Sequence, residues 1–349
     1  MVLILAVALG YLLFAPVPIS PQAWTPGVAP TLTGQYEQNT RLAAVQRLSL
    51  GEGHKPEDVA LDADGKIYAG FEDGRIVVLQ PDGTQPRVFA ITGGRPLGLI
   101  FDTAGNLIVA DAVEGLLSVN KAGEIKVLAL EADDGARFGA LNDLDIGADG
   151  TIYFSEASRK FPMSQFTNDL LEHQPNGRLL ALSPQTGKPR TLLEDLYFAN
   201  GVAVSPDQSF VLVAETGEYR IRRVWLKGSK MGQSDVFIDN LPGFPDGILS
   251  NGRDKFWVAL VTPRQALLDR VLLPYPFLRK VVIRLPKSFQ PAPKRYSFVV
   301  ALDQDGRVIE NLQNGSADCY AEISNVVEHN GTLYFGSIGE DTLGRFSLR

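Results

Sequence analysis

The 349-residue sequence predicts an all-β protein, a six-bladed β-propeller with an N-terminal apolar anchor helix. Three observations carry that prediction. One strand–turn–strand pattern recurs six times, the copies stand mostly about 40 to 60 residues apart, and the 34 Gly and 22 Pro residues favour many turns and short strands over long helices. The copies read PEDVALDADGKIYAG from Pro56, PLGLIFDTAGNLIVA from Pro96, LNDLDIGADGTIYFS from Leu141, ANGVAVSPDQSFVLVA from Ala199 and PDGILSNGRDKFWVA from Pro245. The sixth, ISNVVEHNGTLYFGS from Ile323, is one residue shorter. Each has two apolar stretches alternating with period two around a turn such as Asp64-Gly65, Asp149-Gly150 or Asn330-Gly331, the signature of a hairpin. Third and fourth strands follow in several units, as in GRIVVLQPDG from Gly74 and GRLLALSPQTG from Gly177. One such unit cannot bury its own faces, but six around an axis can. Two β-sandwiches would not need one motif six times.

Composition narrows the function. Acidic residues outnumber basic ones 40 to 33 with no contrasting basic run, which argues against binding to phosphate backbones, and no nucleic-acid partner is expected. A single cysteine, Cys319, excludes an intrachain disulfide and a thiolate zinc cage. The three histidines, His54, His173 and His329, are too far apart in sequence for a local metal motif. His173 and His329 read as structural or solvated. Asn314 and Asn330 lie in Asn-x-Ser/Thr sequons, which matter only in a glycosylating host.

Residues 1–20 read as a signal anchor. Val2 to Phe14 is an unbroken apolar run, and it approaches the roughly 20 residues a membrane span needs only if counted on to Val17 or Ile19. No Lys or Arg precedes it. The expected placement is a single-pass membrane anchor with the propeller exported; a cleaved signal peptide and a secreted protein is the alternative, and a buried core helix a third. Residues 21–46 then form a linker and lead-in, and 47–349 the propeller, with 264–298 as an insertion or cap.

Aligning the six copies singles out one position, two residues before the leading apolar residue of the first strand. Its occupants are Glu57, Leu97, Asn142, Asn200, Asp246 and Ser324. The innermost strand of a propeller blade starts beside the central channel, so equivalent positions form a ring around the axis. Two carboxylates and two amide carbonyls converging there are hard oxygen donors, which suit Ca²⁺, whereas softer metals would want Cys or His. Glu57, Asn142, Asn200 and Asp246 are therefore the candidate metal ligands. His54, three residues before Glu57, is a further catalytic candidate if it approaches the channel mouth.

The stretches PEDVALDADGKIYAGFEDGRI, HQPNGRLLAL, ANGVAVSPDQSFVLVAETGEYRIRRVWLKG, NLPGFPDGI and EHNGTLYFGSI resemble the strictosidine-synthase-like branch of the calcium-dependent six-bladed propellers, a wider group that includes gluconolactonases and paraoxonases. The resemblance spans Pro56 to Arg349 and implies the same four calcium ligands, an N-terminal anchor and arylesterase or lactonase chemistry. On that reading Ca²⁺ polarises an oxygen of a small ester or lactone substrate, and Asp246 or Glu57 orients the attacking water. Two departures matter. Gly247 follows Asp246 where the family often has Asn. Ser324 occupies the sixth ring position, where true strictosidine synthases have a catalytic Glu, which counts against a carbon–nitrogen bond-forming lyase. A non-catalytic propeller that binds a ligand or protein around a structural calcium is the alternative to a hydrolase.

Between the fifth and sixth copies the spacing stretches to 78 residues. The segment from Arg264 mixes apolar clusters with Arg270, Arg279, Lys280, Arg284 and Lys287. It reads as extra blade strands and a loop, or as a cap at 264–287 that rests on a membrane surface.

Overall fold

A computed structural model describes residues 2–348. Six four-stranded antiparallel sheets succeed one another as blades of a propeller. Their innermost strands are Val59–Leu61, Pro96–Phe101, Ala140–Ile146, Ala199–Val204, Gly243–Ser250 and Ile323–His329, one from each repeat. The outermost strand of the sixth blade is Gln46–Ser49, which pairs antiparallel with the C-terminal strand Thr342–Ser347. This closes the ring with backbone hydrogen bonds inside the sixth blade, which is built from both ends of the propeller. The propeller thus begins one residue before the expected 47.

The repeat's turn chemistry explains its spelling. In the first copy, Asp62 Oδ1 accepts the backbone N–H groups of Asp64 and Lys66, and Gly65 adopts φ +78°. Asp102 does the same for Ala104 and Asn106 in the second copy. The shorter sixth copy turns on Asn330 and Gly331 alone, at φ +50° and +75°, which matches the two-residue hairpin its sequence predicts. Between blades the apolar faces interdigitate; Phe210, Leu212, Phe256, Val258 and Phe298, for example, form one cluster across the fourth and fifth.

The lead-in is not a free linker. Tyr36 and Leu42 are buried in inter-blade clusters. Ser20, Gln22 and Trp24 hydrogen-bond through their backbone N–H groups to Glu172 Oε1, Glu172 O and Leu273 O. Trp24 stacks on His173 at 4.3 Å.

The N-terminal run forms helix α1, Val2–Phe14. Pro16 and Pro18 disfavour helical backbone in the residues before them, so the helix stops short of Val17 and Ile19. Ile19 instead packs with Phe161 and Leu171. Thirteen residues rise about 20 Å, short of the roughly 30 Å hydrocarbon core. No helix among the described residues is long and apolar enough to cross a membrane, so the expected spanning anchor finds no support in them. Nor is α1 a core helix: Val7, Leu9, Tyr11 and Phe14 are exposed.

Two further helices matter for the site. Helix α2, Phe166–Glu172, and helix α3, Pro276–Arg284, each lie in the loop after the second strand of a blade, the third and the fifth. The innermost strand runs away from its ring residue and the second strand returns. Both helices therefore stand on the face where the ring opens.

Candidate metal centre at the channel mouth

The six ring residues do converge. Glu57, Leu97, Asn142, Asn200, Asp246 and Ser324 all line one end of the channel, together with Asp58, Gly98, Asp143, Gly247 and Asn325. The space they enclose, about 10 Å³, is that of a single water or ion. Asn142, Asn200 and Asp246 are buried at 4–6% exposure.

Each donor is aimed by its neighbours. Asn200 Nδ2 donates to Thr216 Oγ1 at 3.1 Å, and Thr216 in turn donates to Pro245 O at 2.7 Å. That chain leaves the Asn200 carbonyl oxygen for the channel. The Asn142 side chain makes no hydrogen bond among the described residues, and its polar atoms are not among the fully buried ones without a partner, so they stay open to the channel. Glu57 is different: its Oε2 accepts from Arg95 at 2.8 Å, in a pair only 14% and 11% exposed. Ser324 donates to Glu57 O at 2.5 Å, so its hydroxyl is spent on the backbone.

A second layer of polar groups lies one residue further along the strands. Asp58 accepts from Val59 N and Leu99 N at 2.6 Å, and from the Asn325 amide. Asp143 accepts from Leu144 N at 2.8 Å and Val202 N at 2.9 Å. Both carboxylates thus tie the start of one inner strand to the next. Burial, then repulsion from Asp143, pushes the Asp58 carboxyl well above its ordinary range. Burial also raises Asp143 to about 7, against the pull of the Val202 and Leu144 amides. Asp246 is held well above its ordinary value by burial first and by the charges of Glu57 and Asp143 next. The channel end is therefore short of positive charge. A hard cation there would relieve the repulsion and occupy the free amide and carboxylate oxygens, so the donor set fits calcium. Among the described residues no cluster of three or more His, Cys, Asp or Glu side chains forms a metal cage; the ring pairs two carboxylates with two amides instead.

His54 does not join them. It is exposed, with Nδ1 2.8 Å from Asp341 Oδ1, and it is not among the residues lining the channel end. Lys55, at φ +54°, turns the chain between His54 and the ring. His173 is buried against Trp24 and Tyr197, and His329 sits in the hairpin of the sixth blade. The absent amide at Gly247 also has a geometric reason. A Cβ there would stand 2.7 Å from Ser324 O and 2.8 Å from Asn325 Cγ, so the neighbouring blade's Asn325 already fills that space. Sequence reasoning passed over Asp58, Asp143, Asn325 and Arg95. The first three carry a readable signal, a second polar residue in succession at the head of an apolar strand.

Comparison with known proteins agrees with this architecture. The strictosidine synthase family profile matches residues 142–229, and that of the strictosidine synthase-like N-terminal region matches residues 34–79. Adipocyte plasma membrane-associated protein of Rattus norvegicus is 33% identical over 98% of this chain and 96% of its own length. The strictosidine synthase-like 6 protein of Arabidopsis thaliana is 34% identical over 88% of this chain and 82% of its own. Among solved structures, a gluconolactonase from Xanthomonas campestris superposes with a TM-score of 0.64 at 19% identity, covering 95% of this chain and 99% of that one. Regucalcin from Agrobacterium tumefaciens, described as calcium-binding, gives 0.62 at 16%, covering 87% and 93%. At such identities the solved structures speak to fold. The full-length relatives speak to descent, and the chain belongs to the strictosidine synthase-like family of propellers, with adipocyte plasma membrane-associated protein among its relatives.

Proposed function

We propose that the chain is a calcium-dependent hydrolase of esters or lactones that works at the channel mouth and resides at a membrane. The observation that carries this is the convergence of Glu57, Asn142, Asn200 and Asp246 on one ion-sized space, with the Asn142 amide open to it. The gluconolactonase and calcium-binding descriptions of the structural neighbours support the reaction class and the metal, and the relative's name supports the location.

Those four residues would hold the ion, which when bound would supply positive charge against a developing oxyanion. The Thr216 hydroxyl fixes the Asn200 amide, keeping its oxygen inward. Asp246 is the better placed of the two carboxylates to orient a water and accept its proton, because Glu57 is already engaged by Arg95. The Ser324 hydroxyl, bonded to Glu57 O, offers no acid at the sixth position, which disfavours the lyase reading. The Glu57–Arg95 pair and the small enclosed space favour a second reading, a non-catalytic propeller with a structural ion.

Asn142→Ala and Asp246→Ala should each abolish both calorimetric calcium binding and turnover of phenyl acetate or a lactone panel. Calcium binding by a wild-type protein that turns over none of these substrates, lost in the two variants, would favour the second reading; turnover that survives both substitutions would contradict the first.

A further inference from the structure

The ring face carries a basic stretch that is out of keeping with an acidic chain. Residues 264 to 298 hold eight Lys and Arg against one acid, Asp269, in a protein of net charge −7. Asp269 is buried and consumed by Arg264 at 2.8 Å and by the Tyr219 hydroxyl at 2.9 Å. Besides Arg264, two of the basic groups point inward. Arg279 is fully buried and donates to the carbonyls of Leu171, Gln22 and Leu273, burial lowering its pKa to about 10. Arg284 donates to Leu12 O at 2.8 Å and Ala15 O at 2.7 Å, which binds the end of α1 to α3. Arg270 and Lys287 are exposed and Lys280 is half-buried, and none of the three has a hydrogen bond or ion pair among the described residues.

The same surface is studded with large apolar side chains. Leu267, Val271, Tyr275, Phe277 and Phe289 are between 39% and 73% exposed, in a molecule whose blades bury most such residues. The exposed Val7, Leu9, Tyr11 and Phe14 of α1 continue it, since α1 is held against α3. Aromatic and aliphatic side chains ringed by unpaired Lys and Arg, on short helices that lie along a surface, are what an interfacial contact requires. The charge decides the occupant. A net acidic protein is repelled by an anionic bilayer, so a local positive cluster is needed to bring it down onto one.

We propose that α1 and the 264–289 cap dock side by side on the surface of an anionic phospholipid bilayer. The channel mouth then faces the membrane. The proposal does not depend on the hydrolase reading.

The test is flotation of the full chain with vesicles of phosphatidylcholine, with and without phosphatidylglycerol. The wild type should bind the mixed vesicles more tightly, and added salt should weaken that binding. The triple charge reversal Arg270→Glu, Lys280→Glu, Lys287→Glu should weaken it by about a hundredfold or more. Phe277→Ser with Phe289→Ser should weaken binding to both compositions by roughly tenfold. Circular dichroism and an unchanged melting temperature confirm that the variants fold. Equal binding to the two compositions, or a charge-reversed protein that binds like the wild type, would overturn the proposal. So would a wild type that floats with neither vesicle, which would point to a soluble acidic partner.

Discussion

Glu57 has two claimants. Its carboxylate lines the channel, yet one oxygen accepts from Arg95 at 2.8 Å. A guanidinium and a divalent cation sharing one carboxylate repel each other, and the low exposure of the pair limits screening. Arg95→Ala should therefore tighten calcium binding, by about fivefold to tenfold on such an interaction, as read by calorimetry. Weaker binding would show that Arg95 instead holds Glu57 in its ligating position. At this scale the convergence of the four ring residues was legible in the sequence because the repeat supplies a common register. Arg95 was not, since it reaches Glu57 across 38 residues and between two blades. His54 looked promising only through its nearness to Glu57 in sequence; the left-handed Lys55 and the bond to Asp341 keep it at the surface.

Among the elements, the start of each inner strand does two jobs. Its first residue, polar in every blade but the second, lines the channel end, and the next either braces the neighbouring blade, as Asp58, Asp143 and Asn325 do, or is a glycine that lets that blade approach. Gly247→Asn, which would restore the residue common in the family, should destabilise this protein by about 1–3 kcal/mol, because its Cβ would meet Ser324 O and Asn325. A melting temperature equal to the wild type would contradict this. Helix α2 supplies a pH-dependent element away from the ring. Asp169 is raised to about 6 by burial, opposed by hydrogen bonds from Ser158 and Asn176. A carboxyl raised in the folded state contributes its stability below the unfolded value near 4, and loses it as pH rises through about 6. Asp169→Asn should therefore gain stability relative to wild type between pH 5 and pH 8, on the order of 1–2 kcal/mol. Parallel stability curves for the two proteins would contradict it. Elements with a local cause, the hairpins and α1, were readable in advance. The end of α1 was misplaced by counting apolar residues through Pro16 and Pro18.

The molecule as a whole is a ring that closes on itself, with an acidic, ion-sized centre and a basic, apolar cap on the same face. The six-fold repeat made the ring legible, because only a closed array needs one motif six times. The cap was not legible in detail. Which of its cations point outward depends on the carbonyls that Arg279 and Arg284 capture from the lead-in and α1. The most direct test of the central claim is the rate of phenyl acetate hydrolysis as free calcium is set by an EGTA buffer. Turnover should rise saturably with calcium and vanish in excess chelator; a rate that does not change across the titration would mean that calcium takes no part in the reaction.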